Sequence, residues 1–182
     1  GLACEINESI DTLSGNGPED LIELTLKLGS KILIRSGIAS SLKDALKLQK
    51  SVIKDGSALK SFKTMINNQG GDFDNFKKLN QPKYTNYITA KKDGYLSKFN
   101  TESIGWSLVE LGCGYKSKKT ILDYSSGIEF IKKVGDQVTE GEKIYRIFSS
   151  NKEKLKIASK FLEKTFKIAN NSKSIKLIID EF

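Results

Sequence analysis

Apolar residues recur every three or four positions in the first 70 residues, which is the spacing of one face of an α-helix. Four such stretches are separated by glycines, with stripes at Ile6/Ile10/Leu13, Leu21/Leu24/Leu28/Ile32, Leu42/Leu46/Val52 and Leu59/Phe62/Ile66. Pro18 precedes the second stripe, and Ser41 with Asp44 opens the third as a capping box would. We predict four helices with short connections, the second of them well buried.

The pattern changes after a polar, broken segment at residues 72–82. From Tyr84 apolar residues alternate, which indicates a strand. Ile104, Leu108 and Leu111 then share a short helical face. Later, brief apolar segments flank glycine turns at 135–136 and 140–141, a pattern typical of hairpins folded into a small β sandwich or barrel.

The last 30 residues favour one more helix and one more strand. A helix is expected from about Lys152, with an apolar face at Leu155, Ala158, Leu162 and Ala169, followed by a strand over residues 175–179. Because the predicted helices come first and most of the predicted strands follow them, we predict an α+β fold. We place the domain boundary between residues 80 and 81, which gives a helical segment at 1–80 and a β-rich domain at 81–182.

Charge disfavours one function class. The chain of 182 residues has a net charge of +8, but its lysines are scattered and Arg35 and Arg146 are the only arginines, so a nucleic-acid partner is not expected.

Composition disfavours several others. No apolar run approaches the ~20 residues that span a membrane. Two cysteines imply no disulfide framework, which fits a cytoplasmic protein. The absence of histidine removes every Ser-His or Cys-His catalytic pair.

A few residues invite a chemical role, and each has a structural alternative. Gly112-Cys113-Gly114 resembles a phosphate cradle but matches neither the P-loop nor the dinucleotide fingerprint, so a turn is favoured. Cys113 has no histidine partner that would make it a nucleophile. Asp123 and Glu129 form an acid–base pair only if the fold brings them together. Lys132 and Lys133 precede the Gly-Asp turn without the flanking residues that a biotinyl or lipoyl carrier needs.

Five signatures follow one another between residues 93 and 148: Asp-Gly-Tyr-Leu, Ile-Gly, Gly-Cys-Gly, an Asp with Gly-Ile, and Val-Gly-Asp-Gln-Val before a further glycine. Upstream, the chain reads Leu-Ser-Gly-Asn-Gly-Pro-Glu-Asp-Leu at 13–21 and Gln-Gly-Gly-Asp at 69–72. In this order they resemble the C-terminal portion of the pyrimidine-nucleoside and thymidine phosphorylases. Leu2 and Tyr115 stand where that family usually carries asparagine and arginine.

The resemblance implies a fold and an activity. Residues 1–80 would be a helical segment of the phosphorylase α/β domain, and residues 81–182 a barrel-sandwich-like (α/β-hammerhead) C-terminal domain. Such enzymes are transferases that convert a pyrimidine nucleoside and phosphate into the base and a pentose 1-phosphate, in nucleotide salvage, as cytoplasmic homodimers. Their catalytic and base-binding motifs are not found here, so we expect those residues upstream, no catalytic residue in this chain, and a fragment that is inactive alone.

The resemblance also implies one metal ligand. A family glutamate helps to hold a monovalent cation, and Glu8 aligns with it, with Glu5 as the neighbouring acid. We therefore expect phosphate as co-substrate and potassium as a possible ion of the full-length enzyme, with Glu8 as its ligand. Two alternatives are a non-catalytic barrel-sandwich binding or carrier module and a basic nucleic-acid-binding protein.

Overall fold

The computed structural model describes residues 2–172 and 176–179. This part of the chain contains helices α1 (Ala3–Leu13), α2 (Glu19–Arg35), α3 (Leu42–Lys54), α4 (Ser57–Asn68), α5 (Phe76–Leu79), α6 (Thr101–Leu111) and α7 (Lys152–Leu162). Its strands are β1 (Tyr84–Thr89), β2 (Gly94–Phe99), β3 (Gly127–Phe130), β4 (Gln137–Val138), β5 (Lys143–Ser149) and β6 (Phe166–Ala169). The described residues divide into two compact units, a helical unit (6–79 and 176–179) and a β-rich unit (2–5 and 80–172).

The helical unit begins its helices where the sequence signals predicted. Pro18 lies immediately before α2, and the Ser41 hydroxyl caps α3 by accepting the Asp44 N–H at 3.2 Å. Helices α2 and α3 are joined by Gln49, whose amide donates to the Leu26 carbonyl at 3.0 Å and to the Ser30 hydroxyl at 2.8 Å. A partly buried polar link of this kind helps to fix which faces of the two helices meet.

The prediction that α2 is well buried is wrong. Leu26 and Ser30 form its buried face, whereas Leu28 is 57% exposed and Ile32 is 68% exposed. The helix is apolar on more than one side, and within its unit α3 covers only the side that faces Gln49. A second apolar face is therefore left open to solvent.

The β-rich unit contains two three-stranded antiparallel sheets, with strand orders β1-β5-β3 and β4-β2-β6. The α+β class is thus confirmed. Within the described residues the sheets do not close into a barrel, because β1 and β3 are edges of one sheet and β4 and β6 are edges of the other.

The predicted hairpins are wrong, although the predicted turns are present. Strand β3 pairs with β5, and β4 pairs with β2, so the turn at Gly135–Asp136 carries the chain from one sheet to the other. Hydrogen bonds from the Gly135 N–H to the Leu96 carbonyl, at 2.7 Å, and from the Leu96 N–H to the Asp136 carbonyl, at 2.9 Å, attach this turn to β2. The turn at Gly141 is likewise held by the Ala90 carbonyl, at 2.9 Å.

One hydrophobic core is shared by both sheets, α6 and α7. Tyr145 lies at its centre with no exposed surface, and it contacts the rings of Phe99, Phe130 and Phe166 at centroid distances of 5.2–5.8 Å. Edge-to-face and tilted aromatic contacts of this kind add to the stabilisation from burial alone.

The last helix ends earlier than predicted. It stops at Leu162, and Phe166–Ala169 form strand β6 against β2 instead of continuing the helical face to Ala169. Residues 176–179 contain no strand, and position 175 lies outside the described residues. None of the helices in the described part of the chain has the length and apolar character needed to cross a membrane.

Candidate functional site

Asp123 is the most highly coordinated acid that the structure describes. It lies in the segment before β3, and four serine hydroxyl groups donate to its carboxylate, three of them at short distance: those of Ser126, Ser125 at 2.7 Å and Ser150 at 2.6 Å. The Ser150 N–H donates to the same carboxylate at 2.9 Å, and the Ser149 hydroxyl does so at 3.3 Å. Asp123 therefore connects the start of β3 to the end of β5.

The pKa of Asp123 is held well below its ordinary value. Partial burial by itself opposes ionisation, but the hydrogen bonds from Ser126, Ser150 and Ser125 favour the charged form and outweigh it. A carboxylate that is ionised and fully hydrogen-bonded has no proton to give at neutral pH and little freedom to accept one. Its role is to hold two chain segments together.

Glu129, the other half of the hypothetical acid–base pair, has a different partner. It lies on β3 directly opposite Arg146 of β5, whose guanidinium Nη1 donates to the Glu129 carboxylate at 2.8 Å. The same guanidinium lies 4.8 Å from the centre of the Phe148 ring. Because Asp123 and Glu129 are each occupied by their own partners, the structure does not support a shared acid–base site.

The Gly112-Cys113-Gly114 segment is the C-terminal cap of α6. The Gly112 N–H donates to the Val109 carbonyl at 3.1 Å and the Cys113 N–H to the Leu108 carbonyl at 2.9 Å, which is a Schellman motif. Gly112 has a φ of 106°, a conformation that favours glycine. Both amides are used within the cap and are not free to bind a phosphate, so the turn interpretation is confirmed. The Tyr115 side chain that follows is 69% exposed.

Cys113 is unsuited to nucleophilic chemistry. Its Sγ donates to the Ser126 carbonyl at 3.1 Å, and burial raises the pKa of the thiol to about 11. A thiol with that pKa is protonated at neutral pH, whereas nucleophilic cysteines are partly ionised. The structural interpretation of Cys113 is confirmed.

The lysines before the Gly135 turn do not form a carrier tip. The Lys132 ammonium is 2.7 Å from the Glu142 carboxylate, and about a quarter of its side chain is exposed. The backbone N–H of Lys133 donates to Asp136 at 2.7 Å. A carrier lysine must extend freely into solvent, so the ion pair with Glu142 disfavours Lys132 as a prosthetic-group attachment site.

Glu8 lies on α1 with an exposed side chain, and its backbone carbonyl accepts the Thr12 hydroxyl at 2.7 Å. The neighbouring Asn7 has a buried Oδ1 without a hydrogen-bond partner among the described residues. Adjacent helical residues point about 100° apart, so this oxygen does not converge on Glu8. Nowhere in the described ranges do three or more acidic or cysteine side chains form a metal-binding cluster, and Glu8 as a cation ligand stays a prediction.

Sequence reasoning missed the serines that surround Asp123. Ser149 and Ser150 are 26 and 27 residues away along the chain, and only the pairing of β3 with β5 brings them close. A second missed feature was visible in the sequence. Lys152, Lys156 and Lys160 recur at intervals of four and therefore share one face of α7.

Comparison with known proteins shows which proteins these elements are similar to. Residues 95–169 match the model of the pyrimidine nucleoside phosphorylase C-terminal domain. The pyrimidine-nucleoside phosphorylase of Geobacillus stearothermophilus is 41% identical over 166 residues, which are 90% of this chain and 38% of that protein. The enzyme of the same name from Staphylococcus aureus strain USA300 is 40% identical over 181 residues, 98% of this chain and 42% of that protein.

The chain thus spans about two-fifths of the length of these curated relatives. The matched family segment begins in β2 and ends with β6, so it covers α6, α7 and most of the two sheets. Identity extends beyond that segment into the helical unit, since the alignments cover nine-tenths of the chain or more. The chain is thus similar to pyrimidine-nucleoside phosphorylases along most of its length, and its residues 95–169 match the C-terminal domain of that family.

Proposed function

We propose that this chain is the C-terminal part of a pyrimidine-nucleoside phosphorylase, which cleaves a pyrimidine nucleoside with phosphate to the base and a pentose 1-phosphate. The observation that carries the proposal is the identity of about 40% to enzymes of this name across both units, together with the family match at 95–169. The substrates of the whole enzyme would be a pyrimidine nucleoside and inorganic phosphate.

Within that enzyme the chain acts as scaffold and supplies no catalytic residue. Phosphorolysis needs donors that bind a phosphate dianion and a group that stabilises the departing base. The candidate groups described above are engaged elsewhere: Asp123 with serines, Glu129 with Arg146, and Cys113 with the Ser126 carbonyl. The residues that bind nucleoside and phosphate then belong to the remainder of the enzyme, upstream of this chain.

The helical unit (proposed domain 1–80) supplies the surface through which it would join that remainder. Its helices leave large apolar side chains 41–68% exposed, at Leu28, Ile32, Leu42, Val52 and Met65. Exposed apolar surface on this scale is typical of an interface. We propose that the remainder of the phosphorylase covers it, and that the β-rich unit (proposed domain 81–182) stabilises the large domain by its own compact core.

The remaining parts of the proposal follow from the family. The enzyme would be a homodimer of the cytoplasm that serves pyrimidine nucleotide salvage, and potassium would bind with Glu8 as one of its ligands. A carboxylate is a suitable ligand for a hard cation when carbonyl oxygens complete the shell. In this chain Glu8 is exposed and available for such a role.

A chimaera tests the central proposal. The segment of the Geobacillus stearothermophilus enzyme that aligns with this chain is replaced by the corresponding residues of this chain, and release of uracil and thymine from uridine and thymidine is measured in phosphate buffer. We expect phosphorolysis by the chimaera and none by the 182-residue chain alone. The matched control is the same relative truncated before the exchanged segment, which should be inactive.

Two outcomes would contradict the proposal. A chimaera that is folded and elutes at the relative's size, yet has no activity with either nucleoside, would show that this chain cannot serve the reaction. Robust turnover by the isolated chain, abolished by substitutions within it, would show that the catalytic residues are present here.

A further inference from the structure

A basic groove of about 680 Å³ lies between strand β1 and helix α7 of the β-rich unit. Four lysines line it: Lys83 before β1, and Lys152, Lys156 and Lys160 along α7, all with exposed side chains. Glu153 is the one acid among the lining residues. Four ammonium groups and one carboxylate leave a net positive charge among the lining residues, so the electrostatic potential of the groove is positive.

The lysines of the groove have no acidic partner among the described residues. Within the described part of the chain, no carboxylate lies within 4.0 Å of any of the four amines. Lys152, Lys156 and Lys160 also stand four residues apart, an arrangement in which like charges on a helix repel each other. Lys152 opens the first turn of α7, where the helix dipole adds a further partial positive charge.

The groove has fixed polar walls. Strand β1 is an edge strand, and the Asn86 amide donates to the Ser159 hydroxyl of α7 at 3.2 Å. Ser159 in turn donates to the Leu155 carbonyl at 2.8 Å. This link sets the spacing between the strand and the helix, so the lysines on the two sides face a space of defined width. Tyr84, which is 40% exposed, lines the same space with an aromatic ring.

We propose that this groove binds a small ligand that carries an oligophosphate group. Three lysines at intervals of four residues span about 12 Å, the length of a di- or triphosphate with its immediate substituent. Ammonium groups suit phosphate as point charges, whereas sequence-reading nucleic-acid surfaces depend on arginine, which is absent from the groove. A groove of this volume has room for a small molecule that carries such a group.

Calorimetric titration of the 182-residue chain with inorganic tripolyphosphate, at low salt, tests the proposal. The variant Lys152→Gln/Lys156→Gln/Lys160→Gln is expected to bind at least tenfold more weakly. The matched control is Lys60→Gln/Lys98→Gln/Lys118→Gln, which removes three exposed lysines that do not line the groove, and therefore the same net charge. We expect the control to change affinity by less than twofold, and Lys152→Arg/Lys156→Arg/Lys160→Arg to retain binding. Circular dichroism verifies the fold of each variant.

Several results would overturn the proposal. These are no measurable binding by the parent chain, an equal loss in both glutamine variants, or preferential binding of oligothymidylate through the α7 lysines without competition by tripolyphosphate. Comparison of uridine triphosphate with tripolyphosphate identifies the source: tighter binding of the nucleotide assigns a role to Tyr84, and equal binding assigns a polyphosphate site. No nucleoside is cleaved in this assay, so its result is independent of the proposed phosphorolysis.

Discussion

The β-rich unit keeps Leu96, Tyr145 and Ile147 fully away from solvent, whereas the helical unit leaves Leu28 and Ile32 more than half exposed. Both units have amphipathic elements, and they differ in whether the apolar faces find partners within the unit. In the β-rich unit two sheets and two helices surround one core. In the helical unit α2 has an apolar face that none of its own helices covers. We therefore expect the β-rich unit to be stable alone, and the helical unit to be completed by the remainder of the proposed phosphorylase.

Separating the two units is the strongest test of this contrast. We expect residues 80–172 to fold alone and to unfold cooperatively on heating, because their core is complete, whereas residues 6–79 should lack a cooperative transition. Thermal melts followed by near- and far-UV circular dichroism check this. Limited proteolysis of the whole chain should cut first between Asp72 and Pro82, and preferred cleavage inside residues 127–148 would contradict the prediction.

Matched isoleucine truncations sharpen the comparison. Ile147→Ala removes a side chain with no exposed surface and should cost about 2–5 kcal/mol of unfolding free energy. Ile32→Ala removes a side chain that is 68% exposed and should cost at most about 0.5 kcal/mol in the isolated chain. Urea denaturation measures both. In the phosphorylase chimaera the cost of Ile32→Ala should rise, because the remainder of the enzyme would cover that face. If Ile32→Ala lowered the unfolding free energy of the chimaera no more than that of the isolated chain, the proposal that α2 forms an interface would be contradicted.

Two acids of the β-rich unit should also differ in how much their substitution lowers the free energy of unfolding. Asp123→Asn replaces one acceptor oxygen by an NH2 group that faces hydrogen-bond donors. The substitution should lower the free energy of unfolding by about 2 kcal/mol. Glu129→Gln disturbs a half-exposed ion pair with Arg146 and should cost about 1 kcal/mol or less. Urea melts at pH 7 compare the two variants, and equal losses would argue against a special role for Asp123.

The pH dependence of the Asp123 effect has a defined sign. The pKa of this carboxyl is lower in the folded chain than its ordinary value of about 4, so the stabilisation that it provides is fully present above that value. It is lost as pH falls from about 4 through the folded pKa. The difference in unfolding free energy between the parent and Asp123→Asn should therefore narrow below about pH 4. A difference that grows on acidification would contradict the assignment.

The sequence was informative wherever the cause of a structure is local. The Ser41 cap, the glycine turns and the faces of α6 and β1 follow from residues within a few positions of one another. Strand pairing is not local: the turn at Gly135 is compatible with a hairpin, and contacts with β2 decide that it joins two sheets instead. The serines around Asp123 depend on that pairing too. The buried face of α2 depends on which neighbour is present, and no pattern within α2 contains that information.

The smallest expected effect concerns Glu8, which lies in the helical unit. Glu8→Gln should leave the melting temperature of the 182-residue chain unchanged within about 1 °C, because an exposed side chain far from caps and cores contributes little to stability. Melts in potassium chloride and in sodium chloride should coincide for both proteins, since one carboxylate in water holds a monovalent ion weakly. The same substitution in the phosphorylase chimaera should weaken the potassium dependence of turnover, where other oxygen ligands complete the shell.

Glu5→Gln is the matched control for that experiment, because it removes a second acid from the same helix. We expect it to change the potassium dependence of the chimaera less than Glu8→Gln does. Equal effects of the two substitutions would assign the change to the general charge of α1. A large potassium-dependent rise in the melting temperature of the chain alone, lost in Glu8→Gln, would show that the helical unit holds the ion by itself. In that case this part of the helical unit would be complete without the remainder of the enzyme, contrary to the contrast drawn between the two units.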